Sequence, residues 1–175
     1  KELGANIYVI ANSGRTVQDM INCLEQQNIP LEYFDYIIGD NGGMCLDART
    51  NKQMYKHVID KEIVSKVIQK FIEIGGKLSD IRLADGKNIL AYPADEVRQY
   101  YSDTKDVIFK EDITDLEKLD ITKLTLTGSH EQINDINKFI RENIRGYKTH
   151  LGKTFFPQKE RDNYRIDFTR NAYKR

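Results

Sequence analysis

Two short, uninterrupted apolar runs bracket a helix-periodic segment near the start of this chain, and that arrangement restricts the fold more than any other feature. Asn6 to Ala11 (N-I-Y-V-I-A) and Tyr36-Ile37-Ile38 have the composition of strands buried on both faces. Asn12-Ser13-Gly14-Arg15 between them reads as a turn. The spacing then predicts a helix over Thr16 to Asn28, with Val17, Met20, Ile21 and Leu24 on one buried face and Pro30 beyond its end. Strand, helix and strand in this order form a βαβ unit, whose right-handed crossover makes the two strands parallel. Gly39-Asp40-Asn41-Gly42-Gly43 closes the second strand as a turn.

The pattern then changes. Met44 to Leu46 and Gln53 to Val58 can pair as a hairpin around Asp47 to Asn51. Asp60 opens a helix whose core face is Ile63, Val64, Val67, Ile68, Phe71 and Ile72, and Gly75-Gly76 stops it. Asp80 to Ala84 and Asn88 to Tyr92 flank Asp85-Gly86, a strong hairpin turn. Pro93 starts a helix in which Val97, Tyr100 and Tyr101 read as packing residues. Ile121 to Thr127 alternates with period two, so this strand has one wet face. Ser129 and Gln132 form a capping box ahead of a helix that buries Ile133, Ile136, Ile140 and Ile144. Tyr147 to Phe156 and Asn163 to Thr169 are a final strand pair. This stretch reads as an α+β layer with helices on one face, inserted into a larger α/β domain of which part is present. The boundaries implied are residues 1–57 and 170–175 for the α/β part, and 58–169 for the insertion. Lys1 to Ala5 resembles the last turn of a helix with Gly4 as its cap, and Asn171 to Arg175 opens a further one, so the chain is expected to be a segment of a longer protein.

Charge and composition narrow the function. The 175 residues hold 27 basic and 27 acidic side chains, which argues against a generic nucleic-acid footprint. A gradient lies beneath the balance: Arg141 to Arg175 carries 10 basic and 4 acidic residues, a run that reads as solvated surface. No apolar run approaches the ~18 residues needed to cross a bilayer. Cys23 and Cys45 are too few for a disulfide scaffold, so free thiols and a cytoplasmic setting are expected. His57, His130 and His150 share no metal-ligand spacing and read as surface or structural histidines. Neither a G-x-x-x-x-G-K-[ST] loop nor a G-x-S-x-G elbow is present.

The candidate site is the loop Ser13-Gly14-Arg15. It follows a parallel strand and precedes a helix, the edge where open α/β sheets bind ligands. The helix offers backbone N–H groups and the positive end of its dipole to an anion. Ser13 can donate its hydroxyl to a phosphoryl oxygen and Arg15 can add charge, although a Ser-Gly turn can also do no more than cap a helix. Asn41-Gly42 falls on the same sheet edge, where Asn-Gly can equally be a plain turn.

Ile7 to Arg15, the amphipathic helix after it, and Tyr36 to Gly43 together resemble the Cof-like, sugar-phosphatase branch of the haloacid dehalogenase superfamily. That branch runs from an apolar strand through (T/S)-G-R and a helix to a strand ending in N-G-(A/G). A C2-type α+β cap follows, to which the segment from Val58 to Thr169 is similar. Tyr164 to Phe168 and then Asn171 to Lys174 resemble the strand and link that lead to the family's third-motif Lys. The resemblance implies an α/β fold: a partial Rossmann-like core with an inserted C2-type cap. It implies that Ser13 hydrogen-bonds the transferring phosphoryl, that Lys174 neutralises charge, and that Arg15 and Asn41, with Gly14 and Gly42, line one substrate pocket. These are electrostatic clamp roles of the kind phosphoryl transfer requires.

The family attacks with the first Asp of a D-x-D motif, and acidic residues of a fourth motif help to hold Mg²⁺. No D-x-D follows an apolar strand here, and Asp40 stands in the wrong place for the fourth motif and reads as a turn residue. The resemblance therefore implies a Mg²⁺-dependent phosphatase for a small phosphorylated metabolite such as a sugar phosphate. Its aspartyl-phosphate nucleophile and metal ligands lie outside these 175 residues, which alone are expected to be inactive. No nucleic acid, membrane or obligate protein partner is expected. Two other readings stay open: a non-catalytic ligand- or protein-binding module, and a phosphomannomutase or sucrose-phosphatase relative.

Overall fold

The computed structural model describes residues 7–92, 94–102, 104–110, 112, 118–153 and 164–171. Its strands form two sheets. The smaller has the order β1-β2-β3-β4, built from β1 (Ile10–Asn12), β2 (Tyr36–Gly39), β3 (Met44–Asp47) and β4 (Gln53–Lys56). β1 and β2 are parallel and joined by α1 (Val17–Gln26), which confirms the βαβ unit. β2, β3 and β4 run antiparallel. Thr16 caps α1, its Oγ1 accepting from Asp19 N at 3.0 Å. The helix sets Val17 and Met20 against Ile37, Met44 and Leu46 as a small separate core.

The larger sheet has the order β7-β6-β5-β8-β10-β9. Its strands are β5 (Ile81–Ala84), β6 (Ile89–Ala91), β7 (Val107–Phe109), β8 (Lys123–Gly128), β9 (Tyr147–Lys153) and β10 (Tyr164–Arg170). All its pairings are antiparallel except β6 with β7. Two helices, α2 (Lys61–Glu73) and α4 (His130–Asn143), lie on one face, and the short α3 (Asp95–Tyr100) follows β6. The main core is the seam between these helices and the sheet, where Phe71, Ile136, Leu124, Leu126, Ile166 and Phe168 are essentially inaccessible. Truncating a side chain such as Phe71 to alanine in so closed a seam costs about 3–5 kcal/mol.

The pleat sends the alternate residues to the opposite face. On β8 these are Lys123, Thr125 and Thr127, and on β10 they are Arg165, Asp167 and Thr169. Thr125 faces Arg82 of β5 on one side and Asp167 of β10 on the other. This polar face is only partly open to water: Arg165 is exposed, whereas Thr127, Asp167 and Thr169 are buried. It turns toward the β1–α1 loop of the smaller sheet, and the period-two signal marks a wall between the two sheets.

The chain crosses between the sheets at two neighbouring points. His57 N donates to Gly43 O at 2.7 Å and Ile59 N to Ile121 O at 2.7 Å on the way out. Asp60 then accepts from Tyr147 Oη at 2.7 Å, while Arg170 Nη1, on the way back, donates to Val58 O at 3.0 Å and lies 3.4 Å from Asp60. Asp60 stands at the N-cap position of α2, where its carbonyl accepts from Ile63 N and Val64 N but its carboxylate bonds no N–H of the helix, being engaged by these two partners.

Some sequence expectations shift. The strand expected over Asn6 to Ala11 begins only at Ile10, and Ile7, Tyr8, Val9 and Ile10 are 54, 66, 40 and 48% exposed, not buried, since β1 stands at the edge of its sheet and pairs with β2 alone among the described residues. Ile72 is 40% exposed and lies off the core face of α2. β7 is an additional strand. The hairpins, α1, α2, α4 and the Ser129–Gln132 capping box lie where the sequence places them. Pro93 and the segment 154–163, which holds the expected strand ends Phe156 and Asn163, lie outside the described residues.

Candidate active site

The turn after β1 is held by backbone bonds from β2 and its following loop. Ser13 N donates to Ile38 O at 3.0 Å, Asn41 N to Ser13 O at 3.3 Å, and Asp40 N to Arg15 O at 2.7 Å. Asp40, Asn41 and Gly42 form a single 3₁₀ turn in which both Asp40 and Asn41 have left-handed backbone angles (φ +53° and +54°). Such angles are unusual outside glycine and are best tolerated by Asp and Asn. The turn brings the Asn41 amide against Gly14: a Cβ added at Gly14 would lie 2.8 Å from Asn41 Oδ1. The Ser13 hydroxyl accepts from Arg15 N at 3.2 Å, and no acceptor among the described residues takes its own proton.

The larger sheet closes over this turn. Asp40 is fully buried, and its Oδ2 accepts from Thr122 Oγ1 at 2.6 Å. Lys123 Nζ lies 3.7 Å from Asp40 Oδ1 and donates to the carbonyl of Gly14. Burial pushes the Asp40 carboxyl above the usual carboxylate range, and the Lys123 charge and the Thr122 hydroxyl only partly offset this. Asp167 is also buried: it accepts from Thr125 Oγ1 at 2.7 Å and from Asn41 Nδ2 at 3.1 Å. Asp40 is therefore not a mere turn residue. Together with Asn41 it joins the two sheets through side chains.

Two cavities open beside the loop. One of about 600 Å³ is walled by Ser13, Gly14 and Arg15 on one side and by Arg82, Lys123 and Thr125 of the larger sheet on the other. Tyr100 and Tyr101 also line it, so they are more than helix packing. Arg15 pairs with Asp19 at 2.8 Å, which holds its guanidinium charged well into the basic range. The second cavity, about 450 Å³, is bordered by Ser13, Gly14, Asn41, Gly42, Lys148 and His150. Ser13 and Gly14 border both cavities, Arg15 only the first, and Asn41 and Gly42 only the second. Arg15 and Asn41 thus border neighbouring cavities that share Ser13 and Gly14. Lys174 lies outside the described residues.

The start of α1 also differs from expectation. The N–H of Val17 donates to Gly86 O at 3.1 Å, and that of Asp19 is taken by Thr16. The β5–β6 turn thus covers part of the helix end that could have met an anion.

Among the described residues no group of three His, Cys, Asp or Glu side chains could hold a metal ion. Among the described residues Asp40 Oδ1 is the one buried carboxylate oxygen without a hydrogen bond, and it faces the Lys123 ammonium, which already stands where a cation would. The described residues therefore do not fit a Mg²⁺ site. His57 stacks on Tyr55 at 4.7 Å and His130 packs on Tyr164 at 4.7 Å.

Sequence reasoning found the loop and missed the residues that cover it: Asp40, Arg82, Lys123 and Asp167. The alternation on Ile121 to Thr127 and on Tyr164 to Phe168 could have found two of them, since it places Lys123 and Asp167 on the polar faces of their strands.

A parallel strand, loop and helix roofed by a second polar sheet face define an α/β protein with a cavity at the carboxyl end of its first strand, the edge where open α/β sheets bind ligands. The chain belongs to the haloacid dehalogenase-like hydrolases, whose family model matches residues 2–158. The fold is shared with solved structures of low sequence identity. A haloacid dehalogenase-like hydrolase from Bacteroides thetaiotaomicron is 15% identical with a TM-score of 0.67, over 93% of this chain and 58% of that one. One from Bacillus subtilis is 12% identical with a TM-score of 0.69, over 96% of this chain and 63% of that one. A third, from a study of phosphatases of the haloalkanoate (HAD) enzyme superfamily in B. thetaiotaomicron, is 14% identical with a TM-score of 0.63, over 95% and 55%. The chain thus spans less than two thirds of the length of each of these three structures. No match was found among curated proteins. No helix of the described residues is long and apolar enough to cross a membrane.

Proposed function

We propose that the chain is the cap and part of the core of a cytoplasmic, Mg²⁺-dependent phosphatase that hydrolyses a small phosphorylated metabolite such as a sugar phosphate. Residues 1–57 and 170–175 belong to the core and 58–169 to the cap. The observation that carries this reading is the Ser13 hydroxyl, at the carboxyl end of a parallel strand, bordering a 600 Å³ cavity whose far wall is the polar face of a second sheet. A hydroxyl whose proton is uncommitted and whose oxygen is anchored by Arg15 N is suited to donate to a phosphoryl oxygen. Arg15 and Lys123 add positive charge beside it, and Lys174 is a further cation of the core. The wall formed by Arg82, Tyr100 and Thr125 meets the leaving group and excludes water from it.

The nucleophile, an Asp that becomes an aspartyl-phosphate, and the carboxylates that hold the metal ion lie outside this chain. The open edge of β1, with Ile7 to Ile10 exposed, supports this, since another strand can pair there. The test is phosphate release by the intact protein from a panel of sugar phosphates, with and without Mg²⁺. Ser13→Ala should lower kcat/KM by roughly 10²–10³-fold, the loss typical of a preorganised donor. The 175-residue chain alone should release no phosphate. Turnover indifferent to Ser13→Ala, or Mg²⁺-dependent turnover by the chain alone, would refute the proposal.

A further inference from the structure

Each of the three loop carbonyls has a partner, but the partners come from different places. Ser13 O and Arg15 O are held by the backbone N–H groups of Asn41 and Asp40, which belong to the same small sheet and its turn. Gly14 O is held by Lys123 Nζ, a side chain from β8 of the larger sheet. The Gly14–Arg15 peptide is planar, so fixing its carbonyl also fixes the N–H on the other side of the bond. That N–H is the one that donates to Ser13 Oγ at 3.2 Å. The Asp40 carboxylate, buried behind Lys123 and bonded by Thr122, keeps the ammonium in place.

We infer that Lys123 is a positioning residue: through the Gly14–Arg15 peptide it sets the direction and donor strength of the Ser13 hydroxyl from the larger sheet. The inference rests on the proposed role of Ser13. A cation on the carbonyl polarises the amide, which strengthens its N–H as a donor, and a hydroxyl that accepts a stronger bond is itself a better donor. The bonds from Asp40 N and Asn41 N hold the fold of the loop, and the bond from Lys123 adds the direction of its hydroxyl. The larger sheet thereby reaches the phosphoryl-binding hydroxyl through one lysine.

The relay ends at Ser13, which makes it separable from other roles of a lysine near a phosphate. The experiment is a double-mutant cycle on the intact protein, using the best sugar phosphate of the panel. Lys123→Met should lower kcat by roughly tenfold or more, the scale of a misdirected group, with a smaller change in KM. In the Ser13→Ala background it should have no further effect, and Lys123→Arg, which keeps a charged donor, should restore most of the activity. The backbone amide resonance of Arg15 should move upfield in Lys123→Met and not in Lys123→Arg. If Lys123→Met does not fold, Lys123→Gln carries the same cycle. Equal losses in the two backgrounds, or an Arg15 amide that does not move, overturn the inference. A normal rate in Ser13→Ala overturns the functional proposal instead.

Discussion

Gly39 and Gly42 stand three residues apart and are glycines for different reasons. Gly39 has ordinary extended angles, but a Cβ there would lie 2.6 Å from Val17 N and 2.9 Å from Arg15 O, both backbone atoms of the loop it supports. Gly42 has open space around it and a φ of +93°. Gly39→Ala should therefore cost about 2–3 kcal/mol by overpacking, and Gly42→Ala only about 1 kcal/mol from its backbone angle. Denaturant titration of the two variants measures the difference, and equal losses would contradict the steric account. Asp40 makes a prediction with a definite sign. Burial raises its folded-state pKa, so the folded protein binds that proton more tightly than the unfolded chain does. The resulting stability is fully present below the ordinary carboxylate range and is lost as pH rises through the folded value. Asp40→Asn has nothing to titrate there. The melting temperature of the wild type relative to Asp40→Asn should thus increase as pH falls from 7 toward 4; a pH-independent difference would count against the burial. At this scale Ser13, Gly14 and Arg15 were legible because a strand, turn and helix are local patterns. Asp40 was not, because only the approach of a distant sheet distinguishes a buried turn residue from an exposed one.

At the level of elements, amphipathic period and caps carry most of the information. α4 begins at a capping box in which Ser129 accepts from Gln132 N at 3.2 Å and Gln132 Oε1 accepts from Ser129 N at 3.0 Å. Ser129→Ala should cost about 1 kcal/mol, read as a lower denaturant midpoint with an unchanged slope. β8 was legible from its alternation and α2 from its apolar face. β7 was not, since Val107-Ile108-Phe109 is too short to show a period and its parallel pairing with β6 is set by the intervening α3 segment. The apolar run was read as a covered strand over Asn6 to Ala11, but the strand starts only at Ile10 and its edge is exposed. Sequence reports what a strand's side chains favour, and the partner that would bury them is a separate matter.

Taken whole, the molecule is two sheets joined by buried polar contacts from Asp40 and Asn41, while Asp60, Tyr147 and Arg170 clasp the start of α2 to the larger sheet. The exposed edge of the smaller sheet has a consequence for the isolated chain. Ile7, Tyr8 and Val9 are exposed and lead into β1 at Ile10, a strand with one free side, an arrangement that invites strand pairing between copies. The 175-residue chain should associate as its concentration rises, and Val9→Lys should shift it toward monomer in size-exclusion chromatography with light scattering. A chain monomeric at all concentrations would show that this edge is protected. The pleat of β8 and β10 has a further consequence, one for descent. Leu124, Leu126, Ile166 and Phe168 answer to the core, while Thr125, Thr127 and Arg165 answer to whatever enters the cavity. A lineage carrying this fold can exchange Thr125 and Arg165 to follow a new ligand while the core behind them stays unchanged, whereas Lys123 and Asp167 on the same strands stay tied to the loop.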